Sequence, residues 1–133
     1  AVEAKPQPAR EPSLAEIEAS LERAEVAGRD NDVALLSLYL ARRRKAAGQA
    51  DYVEGIRRCI RLAAQLGLKE LHGEARLDLG DEARAAGDLT TACEHWQIAR
   101  ALFEEAKLAA KRDSAEARMK RFGCPTDWVL NDF

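Results

Sequence analysis

The sequence predicts an all-α fold, and three observations carry that prediction. Ala, Leu, Glu and Arg dominate the 133 residues, and all four are strong helix formers, while aromatic residues make up only 5%. Strands favour Val, Ile, Thr and aromatic side chains, so a β-sandwich or barrel has too little to build with. Apolar residues recur three and four positions apart through most of the chain, and glycines fall where each run breaks. With 47% apolar and 33% charged residues, the composition is globular rather than disordered. The length suits one domain with an attached segment.

Residues 1–12 hold three of the four prolines and, apart from Val2, no large apolar side chain, which describes a tether. The chain opens at Ala1 rather than at methionine, so an export signal, anchor or further domain ahead of it stays open. Ser13 with Glu16 forms a capping box at the head of a helix over 13–27, with Leu14, Ile17, Leu21 and Ala24 on one stripe and Gly28 as the stop. Asp30 or Asn31 caps a second helix, whose first half (Val33, Leu35, Leu36, Leu38, Tyr39, Leu40) is apolar almost all round and should be buried on two sides, Tyr39 included. It ends on Arg42-Arg43-Arg44-Lys45, where cations suit the negative end of the helix dipole. A third helix spans 51–65 with Val53, Ile56, Ile60 and Ala63 inward, and Gly67 ends it. A fourth spans 69–86 with Leu71, Ala75, Leu79 and Ala83 on its stripe. After the Gly87-Asp88 turn, a fifth runs from 90 to 110 with Ala92, Trp96, Ala99, Leu102, Phe103 and Ala106 inward. Asp113 or Ser114 caps a short sixth helix over 115–122, closed by Gly123 and Cys124-Pro125. The domain is thus 13–123. The segment 124–133 carries Trp128, Val129, Leu130 and Phe133 within six positions, so it should fold back and pack on the domain.

Several function classes find no support. A net charge of −2 creates no global field for nucleic acid or a membrane surface, and no apolar run approaches the ~20 residues of a membrane span. Phosphate-loop, dinucleotide, zinc-protease and serine-hydrolase motifs are all missing. His72 and His95 lie on different helices and read as boundary residues rather than metal ligands. Asp78, Asp81 and Glu82 read as a solvated acidic face. No enzyme and no cofactor are expected. Cys59, Cys93 and Cys124 are odd in number and far apart, which suggests free thiols in a reducing compartment and a cytoplasmic location. Charge is uneven along the chain. Residues 31–66 carry seven basic and three acidic groups, a sum of +4, and residues 67–105 carry four basic and nine acidic groups, a sum of −5. Such a split can select a protein partner, whereas nucleic acid would call for interleaved exposed aromatics.

Short connections make the helices antiparallel hairpins, and the hairpins repeat at about 33–66 and 70–105. In the second, Leu79-Gly80, Ala83, Gly87-Asp88-Leu89, Ala92, Trp96 and Ala99 stand in the order of a tetratricopeptide repeat. The chain resembles that family most fully over 74–104. Over 33–66 the match is looser, with Leu40-Ala41, a longer GQADY turn, Gly55 and Cys59. Arg76 stands where the family has an aromatic residue, and the proline expected after the second helix is missing, as if that helix ran on.

The resemblance implies a short right-handed solenoid with a terminal capping helix. It implies a non-enzymatic adaptor or scaffold that binds a peptide or helix of a partner protein in a groove lined by the first helix of each hairpin. The family register places Leu35, Leu38, Arg42 and Lys45 in that groove from one helix, and Glu74, Leu77, Asp81 and Arg84 from the other. The lysines and asparagines with which some members clamp a C-terminal carboxylate are replaced here by Leu38, Arg42, Leu77 and Asp81. Leucines between a basic and an acidic end suit an amphipathic segment. Alternatives within the resemblance are a secretion or assembly chaperone and a self-assembling scaffold, that is, a homo-oligomer. No nucleic acid and no membrane insertion are expected.

Overall fold

A computed structural model describes residues 10–125. They form six helices: α1 (Leu14–Val26), α2 (Asp30–Ala46), α3 (Val53–Leu66), α4 (Lys69–Ala85), α5 (Leu89–Glu105) and α6 (Ala109–Arg121). Among the described residues there is no strand, and no helix is long and apolar enough to cross a membrane. Most of the tether (1–9) and the apolar positions Trp128, Val129, Leu130 and Phe133 lie outside the described residues.

The ends of the helices share one device. At each C-terminus a residue in the left-handed region donates its N–H to the carbonyl three positions back, and the N–H of the residue after it reaches the carbonyl five positions before its own. Glycine occupies the left-handed position after α1, α2, α3, α4 and α6. After α5 it is Lys107, at φ 59°, with Lys107 N–H bonded to Glu104 and Leu108 N–H bonded to Phe103. The fifth helix therefore stops at Glu105 and does not run to 110, and α6 begins at Ala109 as a full helix of 13 residues rather than a short one from 115. Leu108, packed on the core beside Phe103, holds the break. The N-termini follow the expected chemistry in part. Ser13 accepts the N–H of Glu16 at 3.2 Å and Asp88 accepts that of Thr91 at 3.1 Å. Asp30 opens α2 from inside, and Arg29 precedes it with no side-chain cap.

Every substantial helix contact joins consecutive helices. The core follows suit in three clusters along the chain. Ile17, Leu21, Ala24, Val33 and Leu40 join α1 to α2. Leu38, Ala41, Ile56, Cys59, Ile60, Ala75 and Leu79 join α2, α3 and α4. Leu77, Ala92, Trp96, Ala99, Phe103, Ala115 and Met119 join α4, α5 and α6. Close approach of α4 to α5 depends on Gly80 and Gly73. A Cβ on Gly80 would sit 2.5 Å from Trp96 Nε1, and one on Gly73 would sit 2.5 Å from the Phe103 ring. Trp96 is fully buried beside Gly80, Ala92 and Ala99, the close, buried grouping expected of these four residues.

Two cysteines depart from the expectation of free thiols. Cys93 on α5 and Cys124 after α6 form a disulfide, with Cα atoms 5.6 Å apart. Both are buried in the third cluster, and Gln97 Nε2 donates to the Pro125 carbonyl at 2.6 Å. The first two residues of the C-terminal segment are thereby fixed on α5. Cys59 alone is a free, buried thiol, and burial pushes it up to about 12.

Candidate interaction face

The residues that the register assigned to a groove occupy the adjoining sides of α2 and α4, but they divide into three kinds. Leu38 and Leu77 are core, 2% and 8% exposed. Both lie on the stripe that meets α3 and α5, and Leu38 reaches the surface only as part of a cleft floor. Leu35 is 56% exposed and Tyr39 37%. The burial expected for Tyr39 fails because α2 has fewer neighbours than its apolar circumference can cover. Its apolar residues follow one another at nearly every position, so some must face outward whichever way the helix turns.

The charged residues form the third kind, and none is free. Arg42 grips Asp78 with two hydrogen bonds, 2.7 Å from Nε and 3.2 Å from Nη2. That hydrogen bonding holds the Arg42 guanidinium above its usual range. Lys45 meets Glu82 at 2.5 Å, and the Tyr52 hydroxyl donates to the same carboxylate at 2.6 Å. Burial by itself would raise Glu82, but these two donors outweigh it and hold the carboxyl below its usual range. Glu74 pairs with Lys111 of α6 at 2.9 Å. Asp81 accepts from Trp96 Nε1 at 3.1 Å and from Arg118 of α6 at 2.9 and 3.2 Å. Arg84 lies 4.9 Å above the Phe122 ring, which in turn stacks on Trp96. The acidic face expected to be solvated is therefore paired: Asp78 and Glu82 hold Arg42 and Lys45 of the basic run, and Asp81 holds Arg118. Two pairs, Arg42–Asp78 and Lys45–Glu82, join the basic segment to the acidic one, while Arg43, Arg44 and Arg58 pair with Glu11, Glu18 and Glu25 on or before α1.

These pairs have a common spacing. Arg42–Asp78, Lys45–Glu82, Glu74–Lys111 and Asp81–Arg118 each join residues 36 or 37 positions apart. That spacing carries each helix's charges to the next helix but one, linking α2 to α4 and α4 to α6. The signal was present in the sequence as charges of opposite sign one hairpin apart, which a search confined to single helices passes over. Lys111 and Arg118 were missed for a second reason: the sixth helix was expected to be too short to carry both.

The face keeps a charged cleft of about 430 Å³ over the paired Arg42, Lys45, Asp78 and Glu82, and its most apolar opening lies further towards the N-termini of α2 and α4. A cleft of about 230 Å³ runs between the N-terminal halves of α2 and α4, lined by Leu35, Leu36, Tyr39 and Leu71 with Arg42 and Glu74 at its edge. It continues into a second cleft of about 430 Å³ that shares Leu35, Leu71 and Glu74 and reaches Leu68. Among the described residues no group of three or more His, Cys, Asp or Glu side chains converges as a metal site. No protein-family model, curated protein or solved structure matches this chain.

Proposed function

We propose that the chain is a tetratricopeptide-like binding module, which holds a peptide or helix of a partner protein on the face of α2 and α4 and catalyses no reaction. The observation that carries this reading is the side-by-side exposure of Leu35 and Tyr39 above a cleft floored by leucines. An amphipathic segment laid into such a groove buries apolar surface at about 25 cal/mol per Å². The packing of consecutive helices and the ladder of pairs 36 or 37 residues apart support a stack of repeated hairpins, with α6 as the last of the described helices, and the right-handed turn of that stack follows from the resemblance alone. Recognition rests on apolar contact rather than on Arg42 and Lys45, because both cations already hold carboxylates. The buried Cys93–Cys124 disulfide supports an oxidising compartment over the cytoplasm.

Selection from a displayed library of helical peptides tests the reading. Peptides with leucine or aromatic residues at i, i+3, i+4 and i+7 should be enriched on the immobilised protein. They should lose binding at least about tenfold to a Leu35→Glu, Tyr39→Glu variant whose circular dichroism is unchanged, since two anchors are removed. Enrichment that survives both substitutions would move the site off this face. A chain that proves dimeric in light scattering, and monomeric after the same substitutions, would make a second copy the occupant.

A further inference from the structure

A cleft of about 450 Å³ opens between the C-terminal halves of α4 and α6, lined by Asp81 and Arg84 of α4, by Ser114, Arg118 and Arg121 of α6, and by Phe122. Three guanidiniums against one carboxylate leave it a net charge of +2. Asp81 is already engaged, since it accepts from Trp96 Nε1 and from both Nε and Nη2 of Arg118. The surplus lies on Arg84 and Arg121, both exposed. Among the described residues neither has a carboxylate within ion-pair distance. Their shared contact is the Phe122 ring, whose centroid is 4.9 Å from the Arg84 guanidinium carbon and 5.3 Å from that of Arg121. A ring attracts a guanidinium through its π face and leaves the N–H donors to find acceptors elsewhere. Each arginine stands in the last turn of its own helix or at its end, where a cation suits the dipole. The dipole does not account for two like charges from different helices meeting on one ring.

The α4–α6 cleft shares Asp81 with the charged cleft between α2 and α4, which in turn shares Arg42 with the leucine cleft. The three make one furrow across α2, α4 and α6. Its middle, where Arg42 holds Asp78 and Lys45 holds Glu82, has little charge to offer. We propose that the α4–α6 end of the furrow binds the acidic stretch of a partner protein's segment, whose Asp or Glu carboxylates take the N–H donors of Arg84 and Arg121 above the Phe122 ring. A carboxylate matches the guanidinium fork with two parallel hydrogen bonds. An open furrow that runs on from the cleft suits a chain better than a lone ion. Two surplus cations on a chain of net charge −2 are too small a field for a phosphate backbone. The proposal rests on the peptide-binding reading only for the rest of the segment, whose apolar anchors lie over Leu35 and Tyr39. Leu71 and Arg84 are thirteen positions apart, about 20 Å along α4. Anchors and acidic stretch are therefore separated by about 13 residues in a helical occupant and about six in an extended one.

The probes are acetyl-Glu-Glu-Ser-Glu-Glu-amide and its counterpart with glutamine in place of glutamate, titrated into the 133-residue chain in about 50 mM salt, where surface charge is little screened. NMR follows the Nε–H groups of Arg84 and Arg121 and the ring protons of Phe122. Saturable shifts are expected with the acidic peptide, at an affinity at least about tenfold above that for the glutamine peptide, the worth of a charge-assisted hydrogen bond. Arg84→Gln with Arg121→Gln, both at exposed positions, should keep the circular dichroism and remove that margin. An equal response to the two peptides, or an undiminished margin in the double variant, overturns the proposal. Tighter binding of inorganic phosphate than of the acidic peptide overturns it as well and makes the cleft a phosphoryl site. Binding that appears only after Asp127→Asn with Asp132→Asn would make the chain's own C-terminal segment the occupant in place of a partner. The pentapeptide contains no leucine, so its result is separate from that of the leucine face. A leucine stripe added about 13 residues away should tighten binding, and Leu35→Glu with Tyr39→Glu should cancel the gain. Binding of the pentapeptide with no gain from the stripe would sustain this cleft and overturn the leucine face alone.

Discussion

At the scale of single residues, two positions account for much of how this chain folds. Trp96 is fully buried between α4 and the end of α6, with its ring against Gly80 and its indole N–H on Asp81. Trp96→Ala leaves a large cavity and takes the indole N–H from Asp81, which keeps Arg118, and should cost ~3–5 kcal/mol in urea unfolding. A loss below about 1 kcal/mol would show that the ring is not part of the core. His72 and His95 make stability depend on pH. Their folded values lie near 4, below the ordinary 6.5, through burial and then the charge of Arg76. The unfolded chain therefore binds more protons between those values, so stability is complete above pH 6.5 and is lost as pH falls towards 4. For the buried His72 the total is on the order of 3 kcal/mol. Melting temperature should fall between pH 6.5 and 5, before most carboxylates titrate, and His72→Gln should flatten that slope. An equal slope in the variant would place the dependence elsewhere.

Helix ends govern the scale of single elements. Five of six carry glycine in the left-handed position, and the sequence marks each of those stops. The sixth, Lys107, adopts the same hydrogen-bond pattern without the residue that signals it. No local feature betrays that break, and so the fifth helix is overrun and the sixth shortened when only the sequence is read. Non-glycine residues in this region are strained by about 1–2 kcal/mol, and glycine adds its own entropy cost. Lys107→Gly should accordingly raise stability by about 0.5–1 kcal/mol, read as a higher urea midpoint with unchanged slope. A fall would mean that the lysine's long stem or its charge outweighs the backbone term. The disulfide belongs to this scale too, because it fixes the end of α6 on α5 across 31 residues of sequence. Closing a loop of that size is worth about 3–4 kcal/mol in the chain-entropy account. Thiol titration in denaturant without reductant should find one thiol per chain, that of Cys59; three would show that Cys93 and Cys124 are reduced.

At the scale of the whole molecule, the apolar core is built in clusters of neighbouring helices, and ion pairs between alternate helices add links of 36 or 37 residues to it. Reversing charge at two rungs with Arg42→Glu and Lys45→Glu sets new carboxylates against Asp78 and Glu82 and leaves the Tyr52 bond in a repulsive setting. The double variant should lose about 1–3 kcal/mol, less in high salt than in low. An unchanged melting temperature would mean that the ladder contributes nothing, and the apolar clusters alone hold the stack. Composition, apolar spacing, caps and glycines determined by themselves the number of helices, the starts and stops of most of them, and the tight contact of Trp96 with Gly80. Each of those rests on neighbours within a few residues or on a size requirement visible in the pattern. Only the tertiary structure decided which charges are spent on one another, which leucines of α2 face water, that Cys93 meets Cys124, and that Arg76 brings His72 and His95 together. Those outcomes depend on the separation and rotation of whole helices. A change of one position along a helix turns a side chain by about 100°, from core to cleft or from solvent to partner, and local sequence does not fix that angle.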